Sequence, residues 1–547
     1  MSRSPQVESL ATSEPALPSD VGSWISHWAR VQPGALAWAD DFRRCDYREA
    51  AERVARLASW LAQHSVGRGE RVALWLTNRG ALLEAVFACA RIGAVALPIN
   101  ARLTPVEVAF QLADAAPRVL LVERLWRERA DLAIAESHTA APLRLEVGHS
   151  ETGDAYERAL ASVPVAATAC TPDPAPDPEA PLILMYTSGT TGLPKGALLP
   201  QRKALFNSLN ARACFGITRD DRVLVVAPLF HSLGLQILAL PALFCGAGVV
   251  IQEGFDAERV WRAIDEQGIS YLGGVPTAHQ RLLEALEARS LPGTDTRPTA
   301  RAAGNSRLRF LFTAGAAAPA QMIRAYHHHG LAMIQGYGQT ETSLLTCLDA
   351  DRALAKAGSV GRPLPHAEIR LVEPATLGLA PEDWRDVGPG AVGEIVVRGP
   401  ITMLGYWQRP EATRETLRGE WLRTGDLATR DEDFDITLVG RARELYISGG
   451  ENVYPAEVEA ALVGHPDVAE AAVVAIPDPR WGEVGRAHLV AKPGASIDLD
   501  SLARWLSTRL ARFKQPREFV IEPSLPRTAS GKVQKHRLTD PATKDER

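Results

Sequence analysis

The residues best suited to chemistry form one string: Met185-Tyr186-Thr187-Ser188-Gly189-Thr190-Thr191-Gly192-Leu193-Pro194-Lys195-Gly196. Its glycines let main-chain N–H groups approach an anion closely. Its hydroxyls add donors, and Lys195 adds charge. That is the chemistry of a polyphosphate cradle. The spacing is G-x-x-G-x-x-K-G, with a proline before the lysine, so it is not the G-x-x-x-x-G-K-[ST] loop that opens a helix. Other residues gain meaning only from context. His231 alone reads as an ordinary histidine. Asp426 after Gly425 reads as a turn former, and Lys532 as a solvated charge.

These residues need elements to position them. Pro181 to Met185 is an apolar run that reads as the buried strand feeding the loop. Upstream, Asp46 with Glu49 starts a helix, with apolar residues at helical spacing to Leu61. Arg71–Leu76, Ala94–Ile99 and Arg118–Val122 read as strands, and Ala81–Ile92 as a helix between the first two. Strand–helix alternation implies a parallel sheet covered by helices. No chemistry is visible before residue 180. Residues 163–180 are rich in Pro, Ala and Asp and read as a surface linker. Later strands are expected at Arg222–Val226 and Arg309–Thr313. Beyond Arg443 the pattern is that of a small α+β unit: a helix from Pro455 to Gly464, strands Val468–Ile476 and Arg486–Ala491, a helix Leu499–Arg512 and a strand Glu518–Ile521. His327-His328-His329 reads as a helix C-terminus, where cationic or polar side chains suit the dipole.

Composition bounds the rest. The chain has 547 residues, 46% hydrophobic and 23% charged, with net charge −5. It is long enough for more than one domain, and no basic field argues for nucleic acid. Six cysteines without a C-x-x-C pair fit a reducing compartment, with neither a disulfide framework nor a zinc site. The N-terminus lacks the apolar core of a signal peptide. Ile237–Ile251, broken by Pro241, Gly246 and Gly248, reads as a core element and not an integral membrane segment. The expectation is a cytoplasmic protein; a homodimer stays open.

The 185–196 string resembles the signature of the adenylate-forming superfamily: acyl-CoA synthetases, luciferases and adenylation domains of peptide synthetases. Further motifs follow in colinear order over about residues 25 to 540. They include Pro228-Leu229-Phe230-His231, Gly315-Ala316-Ala317, Gly336-Tyr337-Gly338-Gln339-Thr340-Glu341, Gly425-Asp426, Gly440-Arg441, Ser448-Gly449-Gly450 and Pro526-Arg527-Thr528-Ala529-Ser530-Gly531-Lys532. The resemblance implies an α/β fold, with a large N-terminal domain over 1–442 and a small mobile α+β domain over 443–547, hinged at Arg443. It implies that Thr187, Ser188, Gly189, Thr190, Thr191, Gly192 and Lys195 bind the outer phosphates of ATP. Gly315, Ala316, Ala317, Gln335, Gly336, Tyr337 and Gly338 would border adenine. Thr340 would contact the α-phosphate, Glu341 would hold Mg²⁺, and Asp426 and Arg441 the ribose. His231 would border the acid's carboxylate, and Lys532 would be the mobile catalytic lysine. Gly405-Tyr406-Trp407 reads as packing. Asp431 to Asp435 departs from the family's D-G turn and predicts an altered hairpin.

The implied reaction is an ATP-dependent carboxylic acid–CoA ligation through an acyl-adenylate, with Mg²⁺ and coenzyme A. Ser448, Gly449, Gly450, Trp481, Phe513 and Lys514 are the expected CoA contacts. The acid is expected to be a medium- or long-chain fatty acid or another apolar acid. The alternatives are an aryl acid of benzoate or cinnamate type, or loading of a separate carrier protein. The chain ends 15 residues after Lys532, too few for a carrier domain. A luciferase-type oxygenase or a nucleotide-binding scaffold would be the other classes.

Overall fold

The computed structural model describes residues 20–148, 154–164, 177–187, 194–289, 307–316, 318–448, 451–528 and 531–539. Most of the 163–180 stretch therefore lies outside the described residues. Two sheets form the body of the large domain. The first has seven strands in the order 405–406, 195–200, 181–187, 95–98, 71–75, 119–123, 143–147. Its central strands run parallel, and the strands flanking the phosphate loop close it antiparallel at one side. The second has nine strands, with Tyr271–Gly274, Phe310–Thr313 and Ala332–Gln339 parallel neighbours. One apolar core joins Val72 and Leu74 of the first sheet to Val223 and Val225 of the second. The helix Gly80–Ile92 lies within that core and is apolar nearly all round, as burial on every side requires.

Local signals act where they were read. Asp46 accepts from the Glu49 amide and caps Tyr47–Gln63. The stretch 237–251 folds into a π-helical segment Leu233–Ala239, a short helix Leu240–Phe244 and a buried strand Gly248–Ile251. Among the described residues no helix is long and apolar enough to cross a membrane. The helix Ala320–His328 ends in the histidine run. Between residues 431 and 435 Phe434 takes φ +67°, and Asp431 Oδ1 accepts from the amides of Asp433 and Asp435. Lys356 pairs with Asp431 and Asp433, which replaces the glycine turn.

The small domain carries its own sheet, formed by strands 451–453, 446–448, 482–491, 468–478 and 518–521. Its helix Leu499–Ser507 stops short of the expected Arg512. One expectation is corrected: Cys214, on the helix Gln201–Phe215, is disulfide-bonded to Cys347 of the strand Ser343–Cys347, 133 residues away in sequence. Helix and strand pack together, and spacing along the chain carries no record of that approach.

Candidate active site

A cavity of about 2490 Å³ opens at the carboxyl ends of strands Pro181–Thr187, Tyr271–Gly274, Phe310–Thr313 and Ala332–Gln339. Ligands of open α/β sheets bind at such strand ends. A single-ligand pocket spans roughly 300–1,000 Å³, so this one has room for more than one bound group. Thr187, Lys195, His231, Gly315, Tyr337, Gly338, Thr340, Glu341, Arg441, Arg443 and Lys532 all line it. Gln335, Gly336 and Asp426 are buried behind the lining, and Ala316 is exposed outside it. Ser188, Gly189, Thr190, Thr191, Gly192, Ala317, Gly449 and Gly450 fall outside the described residues.

The Tyr337 side is held by a hydrogen-bonded cluster. Asp426, 7% exposed, accepts from the Tyr337 hydroxyl at 2.6 Å and from Gln339 Nε2 at 2.5 Å on Oδ2. Arg441 Nε lies 2.8 Å from its Oδ1. A carboxylate offers about four acceptor positions, so acceptor capacity remains on Oδ1. Burial and Asp426 both push the Tyr337 hydroxyl well up and keep it a donor. Gly338 has a steric reason: a Cβ there would stand 1.7 Å from the Ser343 carbonyl oxygen. Gln339 also donates to the Thr424 carbonyl. Its role was missed in the sequence because it fills the variable position of its motif.

Glu341 makes one side-chain hydrogen bond among the described residues, from the Tyr406 hydroxyl at 2.9 Å. Tyr406 was expected to be packing; instead its ring also lies 5.6 Å from Lys195 Nζ. Thr187 Oγ1 donates to the Lys195 carbonyl at 3.3 Å, across the mouth of the phosphate loop.

Lys532 enters the cavity from the small domain on a tight turn. Its amide donates to Thr528 Oγ1 and its carbonyl accepts from the Thr528 amide. Arg527 grips the Gly531 carbonyl and Glu470. Gly531 has φ +86°, a conformation glycine adopts without strain. A Cβ there would stand 3.7 Å from Val275 of the large domain, so the two domains meet at this turn. Burial, then Arg441, hold the Lys532 amine below the ordinary lysine range, against Asp426 and Glu341. Its surface is open to the cavity while protein surrounds it, so accessibility here means the cleft and not bulk water.

His231 has a different setting. Its Nε2 is buried with no hydrogen-bond partner among the described residues, and so is Ser232 Oγ. Burial, then the charges of Lys532 and Arg102, lower the imidazole to about 4. The ring is therefore neutral at neutral pH. Leu233 and Ile237 continue the lining.

Beneath the site runs a buried polar stripe that was not read from the sequence. Lys203, fully buried on the helix Gln201–Phe215, donates to Gln236 Oε1 at 3.1 Å and to Ser343 Oγ. Asn207 accepts from the Leu344 amide and donates to the Gln236 carbonyl. Asn210 donates to the Leu344 carbonyl. The spacing i, i+4, i+7 puts all three on one helical face.

Of the expected CoA residues, Ser448, Trp481, Phe513 and Lys514 do not line the cavity. Trp481 lies under Arg480 and Arg517, 4.9 and 5.8 Å from its ring. Lys514 is engaged by both oxygens of Glu457, which occupies the charge expected to meet a phosphate. Ser448 is buried.

Comparison with known proteins agrees with this geometry. A family model described as AMP-binding enzyme matches residues 25–407, and one described as AMP-binding enzyme C-terminal domain matches 457–532. The chain is 39% identical over 521 residues to a feruloyl-CoA synthase of an Amycolatopsis species, covering 94% of this chain and 97% of that one. It is 38% identical over 530 residues to an indoleacetate–CoA ligase of Aromatoleum aromaticum, with the same coverage. Its fold matches o-succinylbenzoate CoA synthetase of Bacillus subtilis in complex with its acyl-adenylate, at TM-score 0.79 and 30% identity, over 95% of this chain and 98% of that one. The chain belongs to the AMP-binding enzyme family and is an AMP-forming acid–thiol ligase of its acyl-CoA synthetase branch.

Proposed function

We propose that this protein is an aryl-acid–CoA ligase. The observation that carries the reaction is Lys532 standing in one cavity with Glu341, Arg441 and the lysine of the phosphate loop, with Asp426 just beneath. The acid class rests on the relatives, which are named for feruloyl and indoleacetate groups, and on the apolar lining at Leu233 and Ile237. The fatty-acid reading gives way to the aryl acid on that ground.

In the first half-reaction a carboxylate oxygen attacks the α-phosphorus of ATP and pyrophosphate leaves. Lys195 and the Thr187–Gly192 loop hold the outer phosphates. Thr340 and Lys532 face the α-phosphate, where negative charge builds in the transition state. Asp426 and Arg441 hold the ribose, and Gly315 to Ala317 with Gln335 to Gly338 border the adenine. Neutral His231 borders the acid without competing for the α-phosphate as a cation. Glu341 fits a magnesium ion: a carboxylate with one hydrogen bond, opening on the cavity, is the oxygen donor a hard cation takes beside substrate phosphates. Bound there, the metal would neutralise phosphate charge. In the second half-reaction the CoA thiol attacks the acyl carbonyl and AMP leaves. Residues 443–547, turning at Arg443, would then carry Lys532 out and bring Ser448 to Gly450, Trp481, Phe513 and Lys514 to the opening. The absence of Trp481, Phe513 and Lys514 from the lining supports reading this structure as the adenylating pose.

The test is a panel of acids scored by acyl-CoA formation with mass detection: ferulate, indole-3-acetate, benzoate, octanoate and palmitate. Aryl acids are expected to give the highest kcat/KM. A fatty acid at the top of the panel would overturn the substrate class, and AMP release without acyl-CoA would overturn the acceptor.

A further inference from the structure

Tyr406 lies on a two-residue strand, Gly405–Tyr406, that pairs antiparallel with Lys195–Pro200, the strand leaving the phosphate loop. The pairing is extended on both sides. The Leu404 amide donates to the Leu198 carbonyl at 2.9 Å, and the Trp407 amide to the Gly196 carbonyl at 2.7 Å. One residue earlier the Met403 amide donates to the backbone carbonyl of Glu341 at 2.8 Å. Five consecutive residues thus bind the main chain of the phosphate strand and that of the acidic loop.

Side chains repeat the link. The Tyr406 hydroxyl donates to Glu341 Oε1. The hydroxyl has one proton. Glu341, with only acceptor oxygens when ionised, accepts the hydrogen bond that this proton makes. The face of the ring meets Lys195 Nζ at 5.6 Å, within the range of a cation–π contact. The ring is set in turn by its backbone. Gly405 takes φ +143°, and a Cβ there would stand 2.7 Å from Thr413 Cγ2. That close approach lets the Tyr406 amide reach Thr413 Oγ1 at 2.9 Å. Trp407 and Arg409 then anchor the segment on Asp114, which also accepts from Tyr186 of the strand entering the loop.

We propose that Tyr406 is a positioning residue of the adenylating half-reaction, its hydroxyl orienting Glu341 and its ring setting Lys195 so that both meet one triphosphate. The inference rests on the reading of Glu341 as the metal carboxylate and Lys195 as a phosphate ligand. With Oε1 held by Tyr406, the carboxylate keeps one rotamer and its other oxygen is left for the cation. A residue that merely packed would not distinguish the two half-reactions, nor metal-bound from metal-free nucleotide.

The test uses the full chain and its Y406F and Y406L variants. Calorimetric titration with MgATP, without any acid present, reads binding apart from turnover. Y406F keeps the ring and loses the hydrogen bond, and its Kd for MgATP should rise about tenfold, the order expected for one hydrogen bond to a charged group. Y406L also loses the ring and should rise further. Binding of metal-free ATP should change less than binding of MgATP in Y406F. Conversion of a supplied acyl-adenylate and CoA to acyl-CoA should stay within about twofold of the parent, since Lys195 and Glu341 serve the polyphosphate, which has then left. Melting temperature is followed alongside. Parent-like MgATP affinity in Y406F would overturn the proposal. So would an equal fall of both half-reactions, because that is the signature of a structural role. The parent's own MgATP titration and its aryl-acid-dependent exchange test the underlying reading separately. A parent that binds no MgATP overturns that reading and this one together.

Discussion

Asp426, behind the cavity wall, and His231, in it, have contrasting surroundings. Asp426 is already engaged by Tyr337, Gln339 and Arg441, and its neighbour Glu341 by Tyr406. His231 Nε2 and Ser232 Oγ are buried without partners among the described residues, and Leu233 and Ile237 continue the wall. Prior engagement fixes side chains before a ligand arrives and spares the ordering cost at binding. That suits a nucleotide, whose chemistry never varies. A wall of apolar side chains instead recognises shape, and one methylene there is worth about 1–3 kcal/mol. Under the proposed function, one wall serves the reaction and the other the choice of acid.

The largest expected effect tests the polar wall. Lys532→Ala should lower acid-dependent ATP–pyrophosphate exchange by about 100-fold or more, the cost of removing one charge-stabilising donor. Thioester formation from a supplied acyl-adenylate should survive. Proportional loss of both half-reactions would leave the lysine without a specific role. Next, Asp426→Asn should raise the KM for ATP roughly tenfold or more through the lost pairing with Arg441, while the ranking of acids stays as in the parent. A reordered acid ranking would show that the two walls are not independent. Ile237→Ala should do the reverse: the ranking of acids shifts by about tenfold in kcat/KM, and the KM for ATP holds. Equal changes in both quantities would break the comparison.

The smallest effect concerns the residue beneath both walls. Burial lowers Lys203 to about 7, against an ordinary value near 10.4. Between these values the unfolded chain binds more protons than the folded one, so this lysine makes stability rise with pH through that window. Below the lower value its full cost is present. Lys203→Met should therefore show a flatter melting temperature between pH 7 and 10 than the parent. Parallel curves would mean that Lys203 is charged inside the fold.

Legibility in the sequence followed the reach of each interaction. The cap of Asp46 on Glu49 and the strand Glu518–Ile521 lie in short runs of sequence, and local residues disclosed them. The helix from Leu499 was read too long because Leu510 keeps the helical spacing from Leu506 after the helix has ended at Ser507. Tyr406 was misjudged because its partner lies 65 residues away. Lys203, Asn207 and Asn210 are visible as a polar stripe, but only the packed structure tells a buried stripe from a solvated one. The acid wall was least legible, since Leu233 and Ile237 look like any core residues.

That stripe also bears on how the protein opens. The Leu344 amide is held by Asn207 and its carbonyl by Asn210, both buried on the helix Gln201–Phe215. The amide can meet solvent deuterium only when that helix leaves the sheet, an event close to unfolding of the whole large domain. Hydrogen exchange at Leu344 should be among the slowest in the chain and should not respond to motion of the small domain. It offers an internal clock against which the opening of the Lys532 turn can be timed.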